Sequence, residues 1–169
     1  MCKFKELVEH IVENSIRVVN LSMGSKKLQD WECFEKVASK YKDVIFVVSA
    51  GNNGFNIDEN PIYPASLNLK NILAVTSSDK SGRLGRGSNY GQNSVDFILP
   101  AERLQVFDHR GVKAFTGGTS YAAPRLTALI SRYIEKILIV QMMKYMIFLK
   151  KELFKKEKKL PSMAGYLIP

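Results

Sequence analysis

Ser120 lies in a segment whose residue types and spacing suit chemistry, residues 118–124 (Gly-Thr-Ser-Tyr-Ala-Ala-Pro). Serine and threonine are favoured where a helix begins, because their oxygens accept hydrogen bonds from unpaired backbone N–H groups. The same position lies in the positive end of the helix dipole, where a developing negative charge is stabilised. The segment therefore predicts either a plain helix cap or a nucleophilic hydroxyl, and the spacing alone favours the cap.

Two predicted strands also end in small polar residues. Residues 44–48 (Val-Ile-Phe-Val-Val) form a short apolar, β-rich run that predicts a buried strand, and residues 49–54 (Ser-Ala-Gly-Asn-Asn-Gly) follow it as a turn. Residues 18–24 (Val-Val-Asn-Leu-Ser-Met-Gly) form another strand that leads into small residues. Open α/β sheets bind ligands at the carboxyl ends of their strands. We therefore expect these strand ends and Ser120 to converge on one cleft.

Together the three segments resemble the subtilisin-like serine peptidases. Residues 118–124 match the nucleophile motif GTSxAxP of that family, and residues 50–52 (Ala-Gly-Asn) match the strand end that carries its oxyanion-hole asparagine. Residues 20–24 match the strand that lines one wall of its specificity pocket. The residues around Ser120 differ from the G-x-S-x-G elbow of the α/β-hydrolases, which argues against membership of that family. The resemblance covers roughly residues 5–135.

The resemblance assigns roles to particular residues. It implies that Ser120 is the nucleophile and that the side-chain amide of Asn52, with the Ser120 backbone N–H, binds the oxyanion of the tetrahedral intermediate. By composition alone, Asn53 is an alternative donor. Without the resemblance, the neighbouring residues would be interpreted as close-packed strand ends. With it, two groups are expected to flank the substrate side chain that precedes the scissile bond: Ser22, Met23 and Gly24 on one side, and Ser49, Ala50 and Gly51 on the other.

The family's acid and base motifs are missing from this sequence. Neither D-[ST]-G nor H-G-T-H occurs, and the two histidines, His10 and His109, lack glycine-rich surroundings. A serine hydroxyl is a poor nucleophile unless a neighbouring base takes its proton. We therefore expect an N-terminally truncated catalytic domain that is a poor or inactive peptidase on its own. The alternative is a non-catalytic, peptide-binding or degenerate pseudoprotease fragment.

The pattern of elements predicts an α/β fold. Helices are expected near residues 3–13 and 28–41, strands near 16–22, 44–49, 71–76 and 95–98, and a hairpin across 104–116 before the Ser120 helix. In the second helix Trp31, Phe34, Val37 and Tyr41 recur at helical spacing and should face the core. Strands that alternate with helices indicate three layers, with a largely parallel sheet flanked by helices.

Charge and hydropathy divide the chain into two predicted regions, a partial peptidase domain over residues 1–136 and an apolar, then basic, helical tail over residues 137–169. The net charge is +9, of which residues 125–169 carry +7 through ten Lys or Arg against three Glu. The nearly neutral remainder gives no reason to expect nucleic acid as a partner.

Three interpretations of the tail stay open. It is a helix that covers the sheet and ends in a solvated basic segment, a helix that lies on an anionic membrane surface, or non-native sequence. Residues 137–149 are too few to span a bilayer, and they include Lys144.

No cofactor is required by the expected chemistry, and the sequence offers no metal-ligating motif such as a D-x-D-x-D loop. Calcium binding is implied by the resemblance alone. The expected partners are a peptide or protein substrate and the missing N-terminal half of the domain. No signal peptide is evident, and localisation stays open although the family is often secreted.

Overall fold

The computed structural model describes residues 3–157, with side chains for residues 3–149, and the chain divides into two units between Ser131 and Arg132. The elements are listed in chain order: α1 (Lys3–Glu13), β1 (Val18–Leu21), a 3₁₀ helix (Leu28–Asp30), α2 (Glu32–Lys40), β2 (Ile45–Ser49), β3 (Ile72–Ser78), β4 (Phe97–Pro100), β5 (Leu104–Phe107), β6 (Lys113–Thr116) and α3 (Thr119–Glu157).

The main sheet contains β1, β2, β3 and β4 in that order, and all three pairings are parallel. In parallel strands the carboxyl ends lie at one edge, so the segments after β1 and β2 are neighbours. The predicted α/β fold, with a parallel sheet flanked by helices, is confirmed. β5 and β6 form the predicted antiparallel hairpin, with Leu104 opposite Thr116.

Alternating side chains of β2 supply two separate hydrophobic cores. Phe46 and Val48 belong to the larger core, which also contains buried residues of α1 and α2. Val47 points to the opposite face, where it packs in a cluster with Ala122 and Ala123 from the start of α3. Because successive residues of a strand point to opposite faces, one five-residue strand serves both layers of helices.

The larger core is built around an aromatic cluster. The ring of Phe34 contacts those of Phe4, Trp31 and Phe46, with centroid distances of 5.0–5.6 Å. Trp31 immediately precedes α2, and Phe34 and Val37 are buried, as the helical spacing predicts. The fourth residue of that pattern, Tyr41, is only half-buried because α2 ends at Lys40.

Asn71 lies at the amino ends of the strands, whereas Ser49 lies at their carboxyl ends. Its side-chain Nδ2 donates hydrogen bonds to the carbonyl oxygens of Ala38 and Val44, both at 3.0 Å, and Asn71 is buried. These bonds tie the last turn of α2 to the residue before β2.

The second unit begins at Arg132 and contains most of α3. Most of its described apolar side chains are exposed, from 39 % for Ile137 to 67 % for Met142. Over the portion of the chain that the structure describes, no helix is long and apolar enough to cross a bilayer. The predicted boundary between residues 136 and 137 stays a prediction, and the tail beyond residue 157 lies outside the described residues.

Candidate active site

The candidate site begins where β2 ends. Ser49 and Ala50 are buried, and the backbone then turns at Gly51 with φ of +96°. A Cβ atom on Gly51 would lie 2.6 Å from Nδ2 of Asn89. Positive φ and this close approach both require glycine, and the turn delivers Asn52 to the edge of the sheet.

Two reciprocal hydrogen bonds join this turn to the start of α3. The Gly51 N–H donates to Thr119 Oγ1 at 3.1 Å, and the Thr119 N–H donates to Asn52 Oδ1 at 3.0 Å. At Gly118, φ is +120°, and an added Cβ would lie 3.0 Å from Asn52 Oδ1. Oδ1 of Asn52 faces a donor, and no residue that the structure describes accepts a hydrogen bond from its Nδ2, so the amide –NH₂ is available to donate.

Ser120 is half-buried in the first turn of α3. The first N–H groups of a helix have no acceptor within the helix. Here the Tyr121 N–H donates to the Gly118 carbonyl at 2.9 Å and the Thr119 N–H donates to Asn52, whereas no residue within the described range accepts a hydrogen bond from the Ser120 N–H. The Ser120 N–H and the Asn52 amide are therefore two available donors on adjoining segments, in the positive field of the helix terminus.

The end of β1 also reaches Ser120. Ser22 Oγ donates to the Ser120 carbonyl oxygen at 3.0 Å, and Asn20 Nδ2 donates to Ser22 Oγ at 3.1 Å. Met23 is 55 % exposed, and an added Cβ at Gly24 would lie 2.8 Å from the carbonyl oxygen of Tyr63. The two predicted substrate-flanking segments thus follow neighbouring strands, with Ser120 bonded to one and adjoining the other. Their roles in substrate binding stay predictions.

Both histidines lie outside α3, the helix that carries Ser120. His10 lies in α1 beside Asn14, and His109 is exposed in the turn between β5 and β6. In the range that the structure covers, neither one hydrogen-bonds Ser120.

Sequence reasoning assigned no role to Asn89, which is fully buried. Its Oδ1 accepts the N–H groups of Asn53 at 2.9 Å and Phe55 at 3.0 Å, and its Nδ2 donates to the Ala50 carbonyl at 2.8 Å. In the sequence it lies in Ser88-Asn89-Tyr90-Gly91, a segment that also resembles the subtilisin-like peptidases but indicates no role for Asn89.

The site holds no acidic cluster. Within residues 3–149 no group of three or more His, Cys, Asp or Glu side chains is arranged to hold a metal ion, and calcium binding stays a prediction. One acid with a perturbed pKa is Asp58, whose pKa is lowered by hydrogen bonds from the side chain of Ser94 and then from the backbone of Asn93.

Comparison with known sequences identifies the family of this chain. The model of the Subtilase family matches residues 4–161. The chain is 28 % identical over 118 residues to Subtilisin-like protease 2 of Plasmodium falciparum, covering 67 % of this chain and 9 % of that protein. It is 24 % identical to the epidermin leader peptide-processing serine protease EpiP of Staphylococcus epidermidis, covering 70 % of this chain and 37 % of that protein.

Comparison with solved structures finds proteases of similar fold. The prenylagaramide maturation protease PagA is 26 % identical, with a TM-score of 0.58, over 73 % of this chain and 45 % of that one. A cold-adapted subtilisin-like serine proteinase is 23 % identical, with a TM-score of 0.61, over 76 % of this chain and 46 % of that one, and shows the fold alone. The chain therefore spans less than half of the length of each of these relatives. With the family model covering most of its residues, this chain belongs to the subtilase family.

Proposed function

We propose that this chain carries the nucleophile and oxyanion donors of a subtilase peptidase site. In the proposed reaction the Ser120 hydroxyl attacks the carbonyl carbon of a peptide bond and loses its proton to a base. The Asn52 amide and the Ser120 N–H stabilise the negative charge that develops on the carbonyl oxygen. The observation that carries the proposal is the Thr119 N–H to Asn52 Oδ1 bond of 3.0 Å, which leaves the Asn52 –NH₂ free to donate beside Ser120.

Family membership supports serine peptidase chemistry in general, and a peptide or protein substrate with it. We place the substrate side chain that precedes the scissile bond between residues 22–24 and residues 49–51. An extended peptide would pair its backbone with these strand ends, as peptides do when they add to an exposed sheet edge. The small and apolar residues of both segments favour an apolar side chain there.

The sequence lacks the acid and base motifs, so we propose that this chain alone hydrolyses peptides very slowly. A triad without its base keeps only the part of the rate enhancement that the oxyanion donors and substrate binding supply. A subtilase fold that holds peptides without cutting them is the alternative that the same geometry allows.

We further propose that the missing groups come from a polypeptide segment that docks beside β1. In the described chain β1 pairs with β2 on one side only, so its other edge presents unpaired backbone groups. On the second face of the sheet Val18, Ile45 and Leu73 are only partly buried. A segment that adds a strand to this edge and covers this face would bury both features.

A fluorophosphonate probe tests the proposal, because it labels only an activated serine. We expect little labelling of this chain alone and Ser120-dependent labelling after addition of a polypeptide that carries the D-[ST]-G and H-G-T-H motifs. Ser120→Ala is the matched control and should stay unlabelled in both conditions. Rapid stoichiometric labelling of the isolated chain would mean that a base is already present. No gain in labelling, hydrolysis or thermal stability with the added polypeptide would favour the peptide-binding alternative.

A second candidate function rests on the exposed apolar side chains between residues 132 and 149. They are followed by a segment with six lysines and two glutamates between residues 150 and 159. Apolar helices that adjoin clustered lysines bind anionic lipid surfaces through burial and charge attraction. We propose that this tail holds the protein at an anionic membrane surface.

Vesicle co-sedimentation tests the membrane proposal. Binding should require anionic lipid, should decrease as salt is raised, and should weaken when Lys150, Lys151, Lys155 and Lys156 are replaced by Gln. A control variant with the same change at four exposed lysines of the first unit (Lys3, Lys36, Lys70 and Lys80) should bind like the wild type. Binding that is insensitive to both salt and lipid charge would exclude this function.

A further inference from the structure

We infer that Asn89 is a positioning residue of the active site, which sets the direction of the Asn52 side chain without touching substrate. The inference rests on the proposed oxyanion role of Asn52. It concerns the loop of residues 50–55, which follows β2 and contains Asn52 at its centre.

The Asn89 side chain holds this loop on both sides of Asn52. On the carboxyl side its Oδ1 accepts hydrogen bonds from the N–H groups of Asn53 and Phe55. On the amino side its Nδ2 donates to the Ala50 carbonyl, and the Asn89 backbone N–H donates to the Gly51 carbonyl at 2.9 Å. The residues that flank Asn52 directly, Gly51 and Asn53, are thus both bonded to one buried residue.

Asn89 is itself anchored to the sheet. Its carbonyl oxygen accepts a hydrogen bond of 2.5 Å from Oγ1 of Thr76, a buried residue of β3. The loop is therefore tied to β3 in addition to its covalent connection with β2. Two neighbouring strands then determine where Asn52 leaves the sheet.

A side-chain amide has the donor and acceptor groups that these hydrogen bonds require. One oxygen must accept two N–H groups while one nitrogen donates to a carbonyl, and the carboxamide of Asn or Gln supplies a donor and an acceptor on one planar group. Asn89 Nδ2 would lie only 2.6 Å from a Cβ on Gly51, so the side chain packs directly on the backbone of the turn. Loss of the amide leaves two part-buried N–H groups and one buried carbonyl without these partners, which costs stability most at the buried carbonyl.

Loosening of this loop should act on the transition state more than on substrate binding. The oxyanion forms only as Ser120 attacks, so a displaced Asn52 amide lowers kcat and leaves KM nearly unchanged. Small displacements in catalytic geometry already cost large factors in rate.

Asn71 provides a matched control for Asn89. It too is a buried asparagine whose amide bonds several backbone carbonyls, but it lies at the opposite end of the sheet. Asn89→Ala and Asn71→Ala should both lower the free energy of unfolding. Only the first should alter the site, and Asn89→Ser serves as a milder variant if Asn89→Ala does not fold.

The first readout is NMR of the full chain, which needs no catalytic activity. We expect Asn89→Ala to accelerate hydrogen exchange of the Asn53 and Phe55 N–H groups by roughly tenfold or more and to shift the side-chain amide resonances of Asn52. Asn71→Ala should leave these three signals unchanged. Unchanged Asn52 resonances in the Asn89 variants, or equal shifts in the Asn71 variant, would overturn the inference.

The second readout is hydrolysis by the chain combined with the motif-bearing polypeptide. Asn89→Ala should lower kcat by at least about tenfold with KM within about twofold, whereas Asn71→Ala should not produce this split. If the wild-type combination is inactive, the proposed function fails, and the NMR result still decides the role of Asn89. A rise in KM with unchanged kcat would also contradict the inference.

Discussion

Asn52 uses the two ends of its amide for different purposes, and substitutions can separate them. Oδ1 accepts the Thr119 N–H at the start of α3, while Nδ2 is the proposed oxyanion donor. Asn52→Ala removes both groups. Asn52→Asp keeps the acceptor and removes the donor, so the two variants should differ in stability and agree in their loss of activity.

The stability change follows from the helix terminus. A side chain that accepts an N–H in the first turn stabilises a protein by about 1 kcal/mol, and Asn52 is exposed, so water partly replaces it in Asn52→Ala. For a chain of this size, about 1 kcal/mol corresponds to a decrease in Tm of about 2–4 °C. Asn52→Asp keeps the bond and adds a negative charge at the positive end of α3, which contributes about 0.3–1 kcal/mol. Its Tm should therefore equal or exceed that of the wild type.

The activity change should have the same sign in both variants. Loss of one oxyanion donor lowers kcat by about 10²–10³-fold, a magnitude found in subtilisin itself and carried over to this relative. Asn52→Asp should lose at least as much, because its carboxylate would also repel the developing oxyanion.

Two assays test the two roles of Asn52. Urea unfolding can be followed through Trp31, the single tryptophan, which is buried. Peptide hydrolysis is measured with the motif-bearing polypeptide present. An Asn52→Asp variant as destabilised as Asn52→Ala would refute the capping bond, and one that keeps wild-type kcat would refute the oxyanion role.

Three further changes have defined outcomes. Gly118→Ala forces a side chain into positive φ against Asn52 and should lower the free energy of unfolding by about 1–3 kcal/mol in urea titrations. Phe34→Ala removes the centre of the aromatic cluster and should cost about 3–5 kcal/mol, measured in the same way. Hydrogen bonds, first that from the Ser94 side chain, lower the pKa of Asp58 in the folded state, so its stabilising effect is present above the unfolded pKa and is lost as pH falls through the folded pKa. Asp58→Asn should therefore flatten the loss of stability below about pH 5, as seen in thermal melts at successive pH values.

Much of the fold could be predicted from local pattern. The apolar run at residues 44–48 gave a strand that the structure places at Ile45–Ser49, and the run at 71–76 gave one at Ile72–Ser78. The helix expected over residues 28–41 is instead a 3₁₀ turn followed by α2, since Trp31 interrupts the helical geometry between them. Periodicity identifies which residues face the core, and it locates helix ends less well.

The site was only partly accessible to the same reasoning. The motif around Ser120 and the small residues after β2 were visible because each is a contiguous segment. The role of Asn89 was not, because the partners of its side chain lie 34–39 residues away in sequence and its own neighbours carry no periodic signal. The direction of the Asn52 amide likewise depends on Thr119, 67 residues further on. Such contacts exist only once the sheet has formed.

The alternation of β2 between two cores has a consequence for the reaction. A slip of β2 by one residue against its neighbours would move Asn52 by about 3.3 Å and exchange the sides on which Val47 and Val48 are buried. Tight apolar packing on both faces prevents that slip. It therefore fixes the position of the Asn52 amide, which lies just after the strand. Substitutions that make the two faces of β2 chemically alike should therefore impair catalysis through mis-registration, although they touch neither Ser120 nor the substrate.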